Sequence, residues 1–274
     1  MGGMSIVELP AATGGPTPYE RDQIALIRAW RDQPPGLIER AAGVALSPIS
    51  RLVSGLVPPS AIEALLRASD WLAEKTVPAA APEGETEGAS LERLDAGVRA
   101  IRNWAVAYAS GEGALAGIAG IASLPVDLPA IVMLSLRTIR RVGGRYGYAG
   151  SSEHERQFIY AVLSIASADS MRQKRAALAT LHGIETQLLA QSWAALGERA
   201  ARRGVSAEAA LLVARDVAER LGVNLTKRKA MAAMPLIGAA IGATVNGWYM
   251  RDIGAAAQRA YQERWLKDRG LLSE

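Results

Sequence analysis

Two apolar segments rich in Gly and Ala, residues 117–141 and 230–250, constrain the fold of this chain more than any other feature. Neither alternates polar and apolar residues as a half-exposed strand does, and no convincing hairpin signal occurs elsewhere. In both segments small residues recur four positions apart, which lets a neighbouring helix approach closely. The sequence therefore predicts an all-α fold, a single multi-helix domain in which a Gly/Ala-rich helical hairpin packs on an apolar C-terminal helix.

The relation of these segments to a membrane stays open at this point. Residues 230–250 carry no charge over about the 20 residues that a bilayer span requires. Pro235, Thr244 and Asn246 nevertheless make a poor lipid-facing helix. The first segment is divided by Asp127 into halves that are each shorter than a span. A buried or re-entrant hairpin and a transmembrane one are both compatible with the pattern.

Composition excludes several classes of chemistry. Hydrophobic residues make up 50% of the chain but aromatic residues only 5%, so the core is built mainly from Ala, Leu, Ile and Val. Cysteine is absent, which excludes disulfides and a cysteine nucleophile. The two histidines, His154 and His182, are far apart, so we predict no metal site and no cofactor. The stretch "GGRYGYAG" lacks the preceding strand and the lysine of a phosphate loop.

Local signals divide the chain into a flexible tail at 1–16 and a single helical domain at 17–274, with a flexible linker at 77–90. A secretory signal is not indicated. Gly111 and Gly113 are expected to interrupt a helix that begins at 91, and residues 170–203 read as one long helix or two. Three capping boxes are predicted: Thr17 with Glu20, Ser60 with Glu63, and Ser152 with Glu155.

Asp127 stands between Pro125 and Pro129 and is the strongest candidate for a functional carboxylate. The order Asp-Leu-Pro predicts that it is a helix N-cap, with Pro129 in the first turn, where its missing N–H costs nothing. Asn246 lies in the other apolar segment and needs hydrogen-bond partners if it is buried. A polar site shared by Asp127 and Asn246 is the alternative to simple capping. His154 and Glu155 are expected at the surface.

Basic residues flank the two apolar segments. If the second arm of the hairpin packs antiparallel to the C-terminal helix, both basic clusters lie at one end of an apolar unit. That arrangement suits an anionic membrane face, where each basic residue near the surface contributes roughly 1 kcal/mol. Attraction to helix C-termini is the simpler explanation for the arginines alone. The predicted membrane-surface residues are Arg137, Arg140, Arg141, Arg145, Lys227, Arg228 and Lys229.

Several motifs together resemble the EcsC family. They are "LPVDLP" (124–129) after a Gly/Ala-rich arm, "SLRTIRRVGGRYGY" (135–148), "ERQFIYAVL" (155–163), "KAMAAMPLIGAAIGATVNGWYM" (229–250) and "AAAQRAYQERWL" (255–266), with Tyr19, Glu20 and Trp30 near the start. The family is named after a gene that neighbours an ABC transporter implicated in bacterial protein secretion, and no reaction is firmly established for it. The resemblance implies a shared site at Asp127, Pro125, Pro129, Gly238, Gly242 and Asn246.

We therefore expect a bacterial, cytoplasmic protein that is peripheral to the inner membrane and acts as a non-enzymatic accessory factor in ABC transport, protein secretion or lipid homeostasis. Its expected partners are an anionic membrane surface or a membrane protein such as an ABC transporter. No nucleic acid is expected, because basic stretches such as 199–203 lack interleaved aromatics. Two alternatives stay open: a hydrolase acting on a lipid-like or peptide substrate near Asp127 and Asn246, and a soluble helical interaction protein.

Overall fold

The computed structural model describes residues 15–35, 59–77, 88–119, 124–148, 152–197 and 238–272. All regular secondary structure in these ranges is α-helical, which confirms the predicted all-α class. Residues 170–203 contain one helix rather than two in their described part. The helices are α1 (Pro18–Asp32), α2 (Pro59–Thr76), α3 (Leu91–Ala119), α4 (Leu124–Arg145), α5 (Glu153–Ser167), α6 (Met171–Gly197) and α7 (Gly238–Asp268).

Helix α7 lies at the centre of the packing and contacts α1, α3, α4 and α5. Its most extensive partner is α3, and the two helices run antiparallel. Near one end, Gln262 donates a hydrogen bond of 2.6 Å to Asp95. Further along, Arg102 donates to Gln258. Gly247 lies against Ser110, so α7 begins beside the C-terminal part of α3.

Helix α4 runs parallel to α7, contrary to the antiparallel arrangement that the charge argument required. The Ser135 hydroxyl lies 3.6 Å from the Met250 sulfur. Later in both helices, Gly143 faces Tyr261. Residue numbers thus rise together along the two helices. The arginines at the C-terminal end of α4 therefore lie at the end of the bundle away from the start of α7, and not beside it.

An aromatic cluster around Tyr261 joins α7 to α4 and α5. The Tyr261 ring is fully buried, and its centroid lies 6.4 Å from Tyr146, 5.7 Å from Tyr148 and 4.9 Å from Phe158. A Cβ atom at Gly143 would come within 2.6 Å of the Tyr261 Cζ atom. The helix backbone can approach this ring only because residue 143 has no side chain.

A glycine C-cap ends α4 and places Tyr148 in this cluster. Gly147 has a φ of 91°, in the left-handed region that glycine tolerates. The Tyr148 N–H donates to the Gly143 carbonyl and the Gly147 N–H to that of Gly144. These two bonds form a Schellman motif. The helix thus ends at Arg145, after the Gly143-Gly144 pair.

The predicted helix starts hold in part. Thr17 and Glu20 form the complete reciprocal capping box. Ser152 accepts from the Glu155 N–H, but the Glu155 side chain contacts Arg264 instead of closing the box. Helix α2 already includes Ser60, which is therefore not its N-cap.

Two further local predictions were wrong. Helix α3 continues through Gly111 and Gly113 to Ala119, because its packing against α7 outweighs the low helix propensity of glycine. Helix α4 begins at Leu124, so Asp127 lies inside the helix and not at its N-cap. Pro125 stands within the first turn, where a proline is readily accommodated.

Several predictions fall outside the described residues. They concern the tail at 1–14, most of the linker at 78–87 and the segment 198–237. The last of these contains Lys227, Arg228, Lys229 and Pro235. Within the described ranges, no helix combines the length and the apolar character that crossing a bilayer requires.

Candidate functional site

The predicted shared site maps to the N-terminal turns of α4 and α7. Asp127 lies eight residues before Ser135, and Gly242 lies eight residues before Met250. Since Ser135 and Met250 are in contact and the helices run parallel, Asp127 and Gly242 stand at one level of the bundle. Asn246 is buried, with 8% of its surface exposed. The shared pocket itself stays a prediction.

The remaining members of the predicted pocket follow the same register. Pro125 and Pro129 lie in the first two turns of α4. Gly238 is the first residue of α7. The three predicted pocket positions in α4 and the three in α7 therefore lie near the N-terminal ends of two neighbouring helices, as judged from the helix backbones.

Arg140 does not belong to a membrane-facing surface, which corrects the prediction for that residue. Only 8% of it is exposed, and its guanidinium forms an ion pair of 2.6 Å with Asp70 of α2. Arg156 of α5 approaches the second oxygen of Asp70 at 3.0 Å. Tyr160 donates to that same oxygen, and burial followed by the Asp70 charge raises the pKa of its hydroxyl. Arg140 thus ties α4 to α2.

Two other predicted arginines, Arg137 and Arg141, form an exposed feature with two aromatic residues of α3. Trp104 and Tyr108 are 42% and 47% exposed, and their rings stack at 5.2 Å. The guanidinium carbons of Arg137 and Arg141 lie 6.0 and 5.3 Å from the Trp104 ring centroid. We call these four residues the aromatic–arginine face.

The arginines of this face are partly desolvated and crowd one another. Burial, followed by the positive charge of Arg137, lowers the pKa of Arg141. The Nε atom of Arg137 is buried and has no hydrogen-bond partner among the residues that the structure describes. Arg145, one helical turn after Arg141, lays its side chain across Gly97 of α3. The face therefore presents positive charge with unused donor capacity beside exposed aromatic rings.

Sequence reasoning missed Trp104 and Tyr108 although a signal was available. The two residues are four positions apart on α3 and therefore share one side of the helix. Arg137 and Arg141 have the same spacing on α4. Because the two helices form an antiparallel pair, two such stripes can meet at their seam.

The EcsC-like motifs also supply a buried network around Asp95, which is 2% exposed. Its carboxylate accepts hydrogen bonds from Tyr19 at 2.7 Å, from Gln262 at 2.6 Å and from Tyr146. Burial and the Asp95 interactions raise the pKa of both tyrosines, so they remain neutral donors. Since the donors come from α1, α7 and the end of α4, this carboxylate joins four segments.

A second network surrounds the fully buried side chain of Glu263. His182, Glu185 and Glu263 each offer a ligand atom, and these atoms lie within 4.8 Å of one another, as a metal site would require. Lys267, however, contacts both carboxylates at 2.7 Å. Arg31 also pairs with Glu263. Two cations already balance the two carboxylates, so a metal ion would have to displace Lys267.

His154 and Glu155 are buried, which corrects their predicted surface position. Glu155 receives two hydrogen bonds from Arg264 of α7, of 2.6 and 3.0 Å. The Arg264 guanidinium also lies 4.0 Å from the Tyr148 ring centroid and 5.1 Å from that of Phe158. The Glu155–Arg264 pair packs against the aromatic cluster. Because Arg264 occupies both oxygens of Glu155, this carboxylate is not positioned as a general acid or base.

The polar residues of the quoted motifs therefore lie mainly in internal networks that hold one helical domain together around α7, while an aromatic–arginine face remains at its surface. The chain belongs to the EcsC protein family, whose sequence profile matches residues 21–266. This agrees with the resemblance found in the motifs.

A curated relative is the "Uncharacterized protein YdbA" of Bacillus subtilis (strain 168). It is 26% identical over 170 residues, which cover 59% of this chain and 54% of the relative. The match thus spans about half the length of that protein. No solved structure matches the chain significantly.

Proposed function

We propose that this protein is a non-enzymatic accessory factor that associates peripherally with an anionic membrane surface and serves transport, secretion or lipid homeostasis. The observation that carries the proposal is the aromatic–arginine face. Two exposed aromatic rings and two arginines meet there at the seam of α3 and α4.

The chemistry of this face suits the lipid headgroup region. Trp and Tyr favour that region because each has an apolar body and a polar group. Arginines beside them add roughly 1 kcal/mol each at an anionic surface. Arg137 and Arg141 are partly exposed beside these rings, so their guanidinium groups can donate charge-assisted hydrogen bonds to a lipid phosphate. An anionic lipid would also offset the repulsion between the two arginines.

The resemblance to the family suggests the cellular setting that we propose. The expected partner is the inner membrane or a membrane protein such as an ABC transporter, and the expected location is the cytoplasmic side. Lys227, Arg228 and Lys229 lie outside the described residues, so their contribution stays a prediction. The proposed attraction to an anionic surface rests on the arginines of the face, and does not require these three residues.

Flotation with liposomes tests the proposal. Detergent-free protein should float with anionic vesicles at low salt, and should float less at high salt because ions screen the attraction. We expect Arg137→Gln with Arg141→Gln to weaken binding about 30-fold, from two contributions of about 1 kcal/mol. Trp104→Ala with Tyr108→Ala should also weaken it, since the aromatic anchors are lost.

Two matched variants serve as controls. Arg172→Gln with Arg175→Gln removes the same charge from exposed positions of α6. Trp248→Ala removes a Trp that is 37% exposed on α7. Both controls should float like the wild type. Equal losses in the control and face variants, or no flotation at all, would reject the proposal and favour a soluble helical interaction protein.

A hydrolase remains the second candidate because the parallel register of α4 and α7 places Asp127 level with Gly242, near the buried Asn246. Such an enzyme would cleave an ester or peptide bond in a pocket at these helix ends. Turnover of a lipid-like ester or a peptide by the wild type, with loss of turnover in Asp127→Asn, would support it. Turnover that survives this substitution would place the activity elsewhere.

A further inference from the structure

A cavity of about 280 Å³ lies where α1 ends and α6 begins. Its walls come from five helices. Its volume is close to the lower end of the range for small-molecule sites. The residues that give it chemical character are Trp30, Arg102, Lys174, Arg251, Asp252 and Ile165.

Positive charge is in excess in this lining. Arg102, Lys174 and Arg251 line the cavity together with one carboxylate, that of Asp252, and the charge of Asp32 also acts on Lys174. The Arg251 Nε atom is 4.0 Å from the Asp252 carboxylate, which is a loose ion pair. Burial, followed by the charges of Arg259 and Arg251 among the nearby groups, lowers the pKa of Arg102. A bound anion would relieve this repulsion.

Arg102 is held in place but retains an unused donor. Its Nη1 atom donates to Gln258 at 2.5 Å. Its side chain lies across Gly254, where a Cβ atom would come within 2.8 Å of the Arg102 Cγ atom. The buried Nε atom has no hydrogen-bond partner within the described ranges and lies beside Gly254. A guanidinium has five N–H donors, so the bond to Gln258 leaves others for an anion in the cavity that Arg102 lines.

Lys174 contributes a second held cation. Its ammonium group donates to the backbone carbonyls of Trp30 and Gln33 at the end of α1. It also lies 4.9 Å from the Trp30 ring centroid. An ammonium group has three protons, so one remains for a ligand after these two bonds. Burial lowers the pKa of Lys174 to about 8, which leaves it mostly charged at neutral pH.

The other walls of the cavity are aromatic or apolar rather than charged, which narrows the class of ligand further. Trp30 supplies a flat aromatic surface, and Ile165 with nearby alanines of α5 and α7 supplies apolar surface. Such walls suit a ligand with a short carbon skeleton. Cations from three separate helices suit an anion with several acceptor oxygens, which describes phosphate better than carboxylate.

We propose that this cavity binds a small phosphate monoester, whose phosphate is held by Arg102, Lys174 and Arg251 and whose carbon skeleton rests against Trp30. The phosphate can belong to a soluble molecule or to a lipid headgroup. The inference is independent of the aromatic–arginine face, since the two sites share no residue.

Calorimetric titration of the full chain with glycerol 3-phosphate tests the inference. Inorganic phosphate and vesicles containing phosphatidic acid serve as parallel probes, and glycerol serves as the uncharged match. We expect saturable binding of glycerol 3-phosphate or of the vesicles and no binding of glycerol. Preference for the soluble ester identifies a soluble ligand, whereas preference for the vesicles identifies a lipid headgroup.

Variants assign any binding to the cavity. Arg251 is largely exposed, so Arg251→Gln should fold normally and weaken binding roughly tenfold through loss of a charged contact. Lys174→Met should weaken it to a similar extent. Arg175→Gln, next to Lys174 but exposed on α6, should leave binding unchanged. Absence of saturable binding by every phosphate probe, or binding that Arg251→Gln does not alter, would overturn the inference.

The vesicle arm also separates this inference from the proposed function. Vesicle binding that is lost in the Arg137→Gln and Arg141→Gln variant but kept in Arg251→Gln belongs to the aromatic–arginine face. Binding of glycerol 3-phosphate that shows the reverse pattern belongs to the cavity. The experiments can therefore reject one of the two proposed binding sites and still support the other.

Discussion

Glu263 shows how much a single carboxylate contributes to this molecule. Its side chain is fully buried. Burial raises its pKa, but hydrogen bonds from His182 and Lys267 outweigh that effect and lower the pKa to about 2. A depressed carboxyl pKa stabilises the fold at pH values above the unfolded pKa of 4.5. That stability is lost as the pH falls from 4.5 towards 2.

We expect Glu263→Gln to lower the free energy of unfolding at pH 7 by about 3 kcal/mol, because Arg31 and Lys267 lose their shared partner. The variant should also lose less stability than the wild type between pH 5 and pH 3. Urea denaturation at several pH values measures both effects. Glu153→Gln is the control, since Glu153 is more than a third exposed in its pair with Arg156. Parallel pH curves for Glu263→Gln and wild type would contradict the assignment.

At the residue level, local interactions were predictable and distant ones were not. The Thr17–Glu20 capping box is complete within four positions and was predicted correctly. Glu155 was expected at the surface because its partner Arg264 lies 109 positions further along the chain. Arg140 was misjudged for the same reason, since Asp70 is 70 positions away. A charge beside an apolar segment does not reveal a distant counter-charge.

At the level of elements, two glycines within helices have opposite roles. Gly143 in α4 faces the Tyr261 ring and the Tyr148 carbonyl, which an added Cβ would approach at 2.6 and 3.0 Å. Gly111 in α3 is exposed, and apart from its own helix backbone no atom of the described residues lies within 4 Å of an added Cβ. The same substitution should therefore give effects of opposite sign.

We expect Gly143→Ala to destabilise the protein by about 1–3 kcal/mol, since the methyl group forces α4 away from α7. Gly111→Ala should stabilise it by about 0.5–1 kcal/mol through higher helix propensity. Thermal and urea unfolding of both variants measure these changes. A stabilised Gly143→Ala variant would mean that α4 and α7 do not pack closely at this point.

Helix boundaries were the least predictable property of the elements. Glycines at 111 and 113 indicated an interruption, yet packing against α7 carries α3 through both. The Asp-Leu-Pro order indicated a start at Asp127, yet α4 begins at Leu124 and includes Pro129. In both cases tertiary packing outweighs a local preference of a few kcal/mol or less.

At the scale of the whole molecule, the central position of α7 should make unfolding cooperative. The helices α1, α3, α4 and α5 all contact α7, so each of them loses part of its buried surface once α7 is displaced. We expect circular dichroism at helical wavelengths and tryptophan fluorescence to give the same unfolding midpoint. Two separated midpoints would show that part of the bundle folds independently of α7.

The general architecture was predictable from the apolar Gly/Ala segments, whereas its directionality was not. Small residues four positions apart indicate close helix packing near the end of α3 and the start of α7. That spacing does not indicate whether neighbouring helices run parallel or antiparallel. The predicted common end for the two basic clusters therefore had no support in the sequence pattern, and α4 and α7 run parallel.

The position of α7 in the chain has a consequence for biosynthesis. Every helix that packs on α7 leaves the ribosome before it, and the bond from Gln262 to Asp95 joins positions 167 residues apart. At a synthesis rate of roughly 5–20 residues per second, on the order of 10–30 seconds pass between the synthesis of α3 and that of α7, its main partner. During that interval the nascent chain exposes apolar helix surface, so a chaperone that holds it has a defined period in which to act.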